Sequence, residues 1–527
     1  MDSLDNSKQT VLLVSHEASR TGAPILSLNI AQQLIKRFNV VVLLLGPGTL
    51  IDSFVDAGAV VVGPLDRSNP VSASLAFSEF LDHHRVDFAI VNSLESNLVL
   101  KPLADRYIPS VSLIHEFAVY TRPRTAIQNA LLWASQTVFS SDVTLGSATQ
   151  VLPQLLDCAL PVLAQGKSTV PGEAQDPAQV NAEKSRLQHA MRPLDQDPDT
   201  IIILGAGRVQ VRKGVDIFIE CATRVLNSPV GSKCRFVWIG DNYDPEVDIA
   251  YSVYLYDQIQ RSGIAEQFSI ISETAQIEEV YAMSDMLLLS SRLDPLPNVA
   301  IDAMVRGLPV MCFDRTTGIA DILKRNDLEE DCIAPYLDTR SMADKIIRLV
   351  SSDSLRAQVG EQAKIVAARE FNMSDYVEKL VDIAARQSEP SQFEKLDTRT
   401  IEEARVVDIN YYSPAKVELE DEASAIRRYV RSWSRGVLRR KLFPGFEPGI
   451  YQELNFDAVG QHDPLAHFLR AGRPLGPWNI PSLKWGATSL QSDAHTALLF
   501  ISVAVPDQLL DVLDYLTVSG VDVKVVV

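Results

Sequence analysis

Residues 11–45 read VLLVSHEASRTGAPILSLNIAQQLIKRFNVVVLLL: an apolar run, a turn of small and polar residues, a stretch with helical spacing, and a second apolar run. Neither run alternates apolar with polar residues. Both faces of each strand are therefore expected to be covered, as in a parallel sheet. The unit repeats along the chain. VVV (60–62), FAIV (88–91), SVSLI (110–114) and TVFS (137–140) read as further buried strands, with helix-like spacing at 49–57, 71–84 and 95–105. Strand–helix alternation of this kind specifies a doubly wound α/β fold.

The rhythm breaks between 165 and 197, where GKSTVPGEAQDPAQ and MRPLDQDPD flank a short helical patch. Gly, Pro and Gln in this density predict an interdomain linker, set at 171–198 after a first domain over 1–170. Alternation restarts at TIIILG (200–205) and continues through RFVWIG (235–240), FSII (268–271), DMLLLS (285–290) and PVMCF (309–313). Helical patterns at 340–350, 353–370 and 374–387 close a second domain, over 199–390. Two Rossmann-like domains in tandem are expected.

Beyond 390 the pattern changes. Residues 391–445 are expected to form an acidic linker and a basic helix, since RRYVRSWSRGVLRRK (427–441) has seven Lys or Arg in fifteen positions. Ile426, Val430, Trp433 and Val437 recur there at helical spacing. Two readings stay open: a basic amphipathic helix on anionic lipid, or a helix packed on the protein with solvated arginines. A small compact module is expected over 446–490. Residues 491–527 read as strand–helix–strand, the start of a further α/β domain, and the apolar ending suggests a fragment of a longer chain.

The chain has 527 residues, of which 46% are hydrophobic and 22% charged, an ordinary globular composition. A formal net charge of −18 argues against non-specific nucleic-acid binding, which needs Lys and Arg to neutralise phosphate. The five cysteines (158, 221, 234, 312, 332) are scattered, without metal-ligand spacing, which fits a reduced, cytoplasmic protein. No run of about 18 apolar residues predicts a membrane span.

In open parallel sheets, ligands lie outside the carboxyl ends of the strands. The first such turn, SHEASRTGAP (15–24), puts Gly22 and Ala23 at a helix start, where free amides can face a phosphate, with Pro24 suited to the first turn. GAGRVQVRKG (205–214) offers Arg208 and Lys213 on one loop, a fork and a point charge fit to clamp a diphosphate. Its GAG is no dinucleotide fingerprint, because Gln210 stands where a third glycine is needed. In SSRLDPLPNVAIDAMVRGLPV (290–310), Asp294 and Asp302 are eight apart, about two helical turns. A helix starting near Pro297 would free the amides of Asn298 and Val299 for phosphate oxygens, and Asp302 could accept from ribose hydroxyls. The bland alternative is that Asp294 simply caps that helix.

Taken in order, GRxxxxKG, the SSR strand end, the acid-x7-acid pair and GLPV resemble the family-four retaining glycosyltransferases of GT-B fold, over roughly 10–388. The resemblance implies two Rossmann-like domains facing a cleft. It implies Arg208 and Lys213 on the donor diphosphate, Asp294 on the donor sugar, Asp302 on the ribose, and His115 on the acceptor side near the transferred sugar. It implies no metal and no cofactor beyond the nucleotide-sugar donor. Gly318 and Ile319 resemble the family's next glycine turn. Two departures stand out: the family's acids are usually both Glu, and Pro295 replaces the glycine that commonly follows the first. Residues 446–478 resemble a module of bacterial surface-polysaccharide enzymes, and 495–527 the opening of rhamnan synthesis protein F. These resemblances imply a saccharide acceptor in O-antigen or capsule assembly, lipid-linked and met at the inner face of the membrane if the basic helix lies on lipid. A sugar-nucleotide epimerase of the same fold and a non-catalytic nucleotide-sugar scaffold are the alternatives.

Overall fold

The computed structural model describes residues 5–172, 176–193, 199–412 and 421–479. The expected module's last residues, 480–490, and the expected start of a further domain at 491–527 lie outside them.

The first sheet contains β1 (Thr10–Ser15), β2 (Asn39–Leu44), β3 (Val60–Val62), β4 (Phe88–Asn92), β5 (Ser110–Ile114) and β6 (Gln136–Phe139), all parallel, in the order β3-β2-β1-β4-β5-β6. The second contains β7 (Ile201–Ala206), β8 (Cys234–Ile239), β9 (Phe268–Ile271), β10 (Met286–Leu289), β11 (Val310–Phe313) and β12 (Ile333–Ala334). Its order, β12-β11-β10-β7-β8-β9, is the first sheet's order read from the other edge. Each chain reversal leaves a crevice beside the first strand of its sheet, outside the carboxyl ends. The runs without polar alternation are buried on both faces: Val11 to Val14 and Ile202 to Leu204 have no accessible surface. β12 was not anticipated, because two residues carry no readable period.

Each sheet has its own core, and each core borrows a helix from outside the expected domain bounds. Helix Pro177–Met191 occupies most of the stretch read as a linker; its Leu187 and Met191 lie in the second core. The Pro and Gln of this segment suggested a loop, but Pro177 stands at the first helical position, after Asp176 accepts from the Ala178 amide. Conversely, helix Met373–Arg386 was assigned to the second domain, yet its Tyr376, Val377, Leu380 and Ala384 complete the first core. The chain thus crosses twice, and the crossings touch. The Lys167 amide donates to the Phe371 carbonyl at 2.7 Å, and a Cβ built on Gly166 would stand 2.5 Å from Met373 Cα. Only glycine fits there.

A second compact unit comprises the described residues between 386 and 479 together with two short pieces, 104–108 and 131–133. Helix Ser388–Ala404 stands where an acidic linker was expected. Helix Glu422–Arg435 buries Ile426, Tyr429, Val430 and Trp433 in a core shared with Phe446, Tyr451, Leu465 and Phe468. Its buried Arg431 pairs with the buried Glu394 at 2.6 Å and donates to the carbonyls of Leu132 (3.1 Å) and Trp133 (2.7 Å). The apolar stripe that could have met lipid is covered by protein, and one of its flanking arginines, Arg431, is buried. Among the described residues, no helix is long and apolar enough to cross a membrane.

Candidate active site

The loop between β7 and helix Val215–Leu226 brings Arg208, Arg212 and Lys213 to the carboxyl end of the second sheet. Gly214 closes it at φ +67°, and a Cβ there would lie 2.1 Å from the Ser290 carbonyl oxygen, so the loop is pressed against the end of β10. This contact aims Lys213 at the next turn. Its Nζ donates to Asp294 Oδ2, and Arg212 Nη1 reaches Asp294 Oδ1 at 3.1 Å and the Leu293 carbonyl at 2.9 Å. The Asp294 carboxylate is 7% exposed, and burying an unpaired carboxylate is expensive, so the two cations are what keep it there. The backbone amide of Asp294 donates to the Thr316 carbonyl at 2.8 Å, which ties the turn to the one after β11.

Asp294 does not cap the following helix. That helix, Asn298–Val305, has Pro297 at its N-cap without a side-chain cap, leaving the amides of Asn298 and Val299 at its start. Opposite stands the start of helix Gly22–Leu34: a Cβ built on Gly22 would be 3.7 Å from Asn298 Nδ2. Two helix N-termini, one from each domain, therefore meet, and both favour negative charge. Asp302 is half-buried on the same helix as Asn298. Lys167 Nζ lies 3.8 Å and Arg306 Nη1 3.7 Å from its Oδ1, while burial raises its pKa.

On the first domain's side, Asn92 ends β4. Its Nδ2 donates at 2.8 Å both to the Ala23 carbonyl and to Ser27 Oγ, which leaves Oδ1 to accept from His115 Nε2 at 3.0 Å. His115 thus carries its proton on Nε2, and Nδ1 is left as an acceptor. Burial, reinforced by neighbouring His16, pushes the His115 imidazole down to about 4. Glu116 accepts from the amides of Leu94 (3.2 Å) and His115 (3.0 Å), fixing the turn. His16 Nδ1 is buried without a hydrogen-bond partner in the described structure.

Lys213 and Asp294 are therefore in contact, Asn298 follows Asp294 by four residues, and Gly22 faces Asn298 and precedes Ala23, whose carbonyl joins the Asn92–His115 pair. Arg208 is on the expected loop, but its exposed guanidinium turns to Asn242 Oδ1 at 3.4 Å rather than to Asp294. Gly318 donates its amide to the Pro295 carbonyl at 2.8 Å and packs against Ser141, with Ile319 buried behind it. Sequence reasoning missed Arg212, although it adjoins Lys213 in the same basic pair. It also missed Asn92, a polar residue closing an apolar strand, and Gln165 and Lys167, which looked like linker.

Comparison with known proteins gives a match to part of the chain. Residues 188–366 match the family described as Glycosyl transferases group 1. The matched span covers less than half of the chain and takes in most of the second Rossmann domain, which is similar to that family. The fold is GT-B: the Anabaena HepE structure in complex with UDP and glucose aligns with a TM-score of 0.56 at 16% identity, covering 72% of this chain and 100% of that one. The alpha-D-kanosaminyltransferase of Streptomyces kanamyceticus is 26% identical over 188 residues, 35% of this chain and 45% of the relative. The lipopolysaccharide core biosynthesis mannosyltransferase LpsB of Rhizobium meliloti is 23% identical over 198 residues, 34% and 54% respectively. The chain spans about half the length of these curated relatives.

A histidine held near 4 is neutral throughout the physiological range. In a ring-resolved NMR titration, the His115 signals are expected to stay constant from pH 8 to about pH 5 and to move only near 4. A midpoint near the ordinary 6.5 would show that the Asn92-bound, neutral ring is not the solution state.

Proposed function

We propose that the protein is a retaining glycosyltransferase that moves a sugar from a nucleoside diphosphate sugar to a growing bacterial surface polysaccharide, without a metal ion. The observation that carries this reading is the Lys213–Asp294 contact, four residues ahead of the free amides that open helix Asn298–Val305. A cation, two converging helix N-termini and a half-buried carboxylate are what a pyrophosphate joined to a ribose requires.

In this account Lys213 and Arg208 neutralise the diphosphate, whose charge grows as the anomeric C–O bond breaks, and the amides of Gly22, Ala23, Asn298 and Val299 hold its oxygens. Arg208, an exposed side chain, leaves Asn242 to do so. Asp302 accepts from the ribose hydroxyls. Asp294 serves the donor sugar and, meanwhile, holds Lys213 in place. Asp is one methylene shorter than the family's usual Glu, so the sugar lies closer to this backbone. His115, neutral and with Nδ1 as an acceptor, takes a hydroxyl of the transferred sugar. Chemistry between two domains lets closure exclude water, which favours transfer over hydrolysis.

The acceptor is a saccharide; the LpsB relative's name points to lipopolysaccharide assembly, with O-antigen or capsule, and a rhamnose-containing chain, as the substrates proposed here. A lipid-linked acceptor puts the enzyme at the cytoplasmic face of a membrane. With the apolar stripe of helix Glu422–Arg435 covered, contact with anionic lipid falls to the exposed Arg439 and Arg440. Co-sedimentation with phosphatidylserine vesicles is then expected at low salt and lost above the screening range; no sedimentation at low salt removes the membrane from the proposal.

A thermal-shift panel of UDP-, GDP- and dTDP-sugars tests the donor. One nucleotide class is expected to raise the melting temperature by mass action and to release free nucleoside diphosphate on incubation. Lys213→Ala removes a charge-assisted contact and is expected to weaken that binding by about 10-fold to 100-fold. If no nucleotide sugar shifts the melting point, the enzyme reading fails. If one binds but neither protein ever releases nucleotide, a binding scaffold replaces it.

A further inference from the structure

The segment that first crosses between the domains touches the donor helix through side chains that no family resemblance assigns. Gln165 is 7% exposed, and its Nε2 donates to Asn298 Oδ1 at 2.6 Å across 133 residues of sequence. Two residues on, Lys167 holds its ammonium 3.8 Å from Asp302 Oδ1. Neither is a loose surface contact. The Lys167 amide is tied to the Phe371 carbonyl at 2.7 Å, Gly166 has no room for a Cβ against Met373, and Thr169 exchanges two hydrogen bonds of 2.9 Å with Asn29 on helix Gly22–Leu34. The segment is therefore pinned to both domains, and its two long polar side chains point at the first and fifth residues of one helix.

We propose that Lys167 is a positioning residue for the nucleoside end of the donor: its ammonium keeps Asp302 ionised and oriented to accept the ribose hydroxyls, while Gln165 fixes the helix start at Asn298. The inference rests on the donor reading of Asp302 given above. Among the described residues, the charged and titratable groups around Asp302 are few. Arg306 lies on the same helix at 3.7 Å and is shared with Glu278, which its Nε meets at 2.8 Å; Tyr281 stacks beneath the Arg306 guanidinium at 4.6 Å; Lys167 alone comes from the crossing. Burial and Glu278 push the Asp302 carboxyl up, and Lys167 and Arg306 pull it down. A protonated Asp302 turns one acceptor oxygen into an O–H donor and loses its charge, so it holds the hydroxyls of a diol more weakly. Deleting the Lys167 charge raises the Asp302 pKa further, and the ionised form then disappears at a higher pH as the solution is acidified.

The experiment is equilibrium binding of UDP, GDP and dTDP to the full chain by calorimetry between pH 5 and 8, with melting temperatures recorded for every variant. With the nucleotide that wild type binds, Lys167→Met and Lys167→Gln are expected to bind about fivefold more weakly at pH 7. Their acid limb should also move to higher pH than that of wild type with the same nucleotide. Lys167→Arg is expected to restore both. Gln165→Ala is expected to weaken binding while leaving the acid limb in place, because it removes a hydrogen bond and no charge. Lys167→Met and Lys167→Gln that bind like wild type, or that bind weakly with an unmoved limb, overturn the inference and leave the donor site standing. Wild type that binds none of the three nucleotides overturns the donor reading and this inference with it.

Discussion

A carboxylate almost out of reach of water has to be compensated, and at Asp294 the compensation comes from 81 residues earlier in the chain. Lys213 and Arg212 reach it only because Gly214, in a left-handed conformation, lets the β7 loop lie against the carbonyl of Ser290. That single approach brings the ends of two neighbouring strands into register. It also explains the burial of a charge in a region with no apolar reason for one: the ion pair holds a cation half-buried at the mouth of the sheet, in a setting where it acts more strongly than it would in water.

Around this point the topology does the rest. Both sheets run in one direction, both reverse their order beside the first strand, and each opens its crevice at the carboxyl ends. The two helix starts that meet there, Gly22 and Asn298, belong to different domains. The double crossing at Gly166 and Met373 ties the halves together, and Gln165 beside it reaches the start of helix Asn298–Val305. Helix Met373–Arg386, returning to finish the first core, makes the second domain's last helix a structural part of the first.

Much of the fold was legible in the sequence because unbroken runs of Val, Ile and Leu leave few choices. SVSLI at 110–114 became a strand of the same length, and VVV at 60–62 did too. What was not legible depended on partners far away. Residues 177–191 carry Pro and Gln but form a helix because Leu187 and Met191 find a core across the linker. The basic stretch at 427–441 left lipid contact and packing on the protein both open in the sequence, and the buried partner of Arg431, Glu394, lies 37 residues away. In the candidate site, motif spacing located the loops that carry Lys213, Asp294 and Asn298. It gave no view of side-chain direction, so Arg208 was expected beside the others and turns to Asn242 instead. Arg212, Asn92 and Lys167 act through contacts between 23 and 135 residues distant in sequence, beyond the reach of any local pattern.

The most direct test is a crystal structure of the protein with a non-hydrolysable nucleoside diphosphate sugar. The account predicts the pyrophosphate between the starts of helices 22–34 and 298–305, Lys213 Nζ within hydrogen-bonding distance of a phosphate oxygen, and the ribose hydroxyls on Asp302. A nucleotide bound elsewhere, with Lys213 still committed to Asp294 alone, would contradict it.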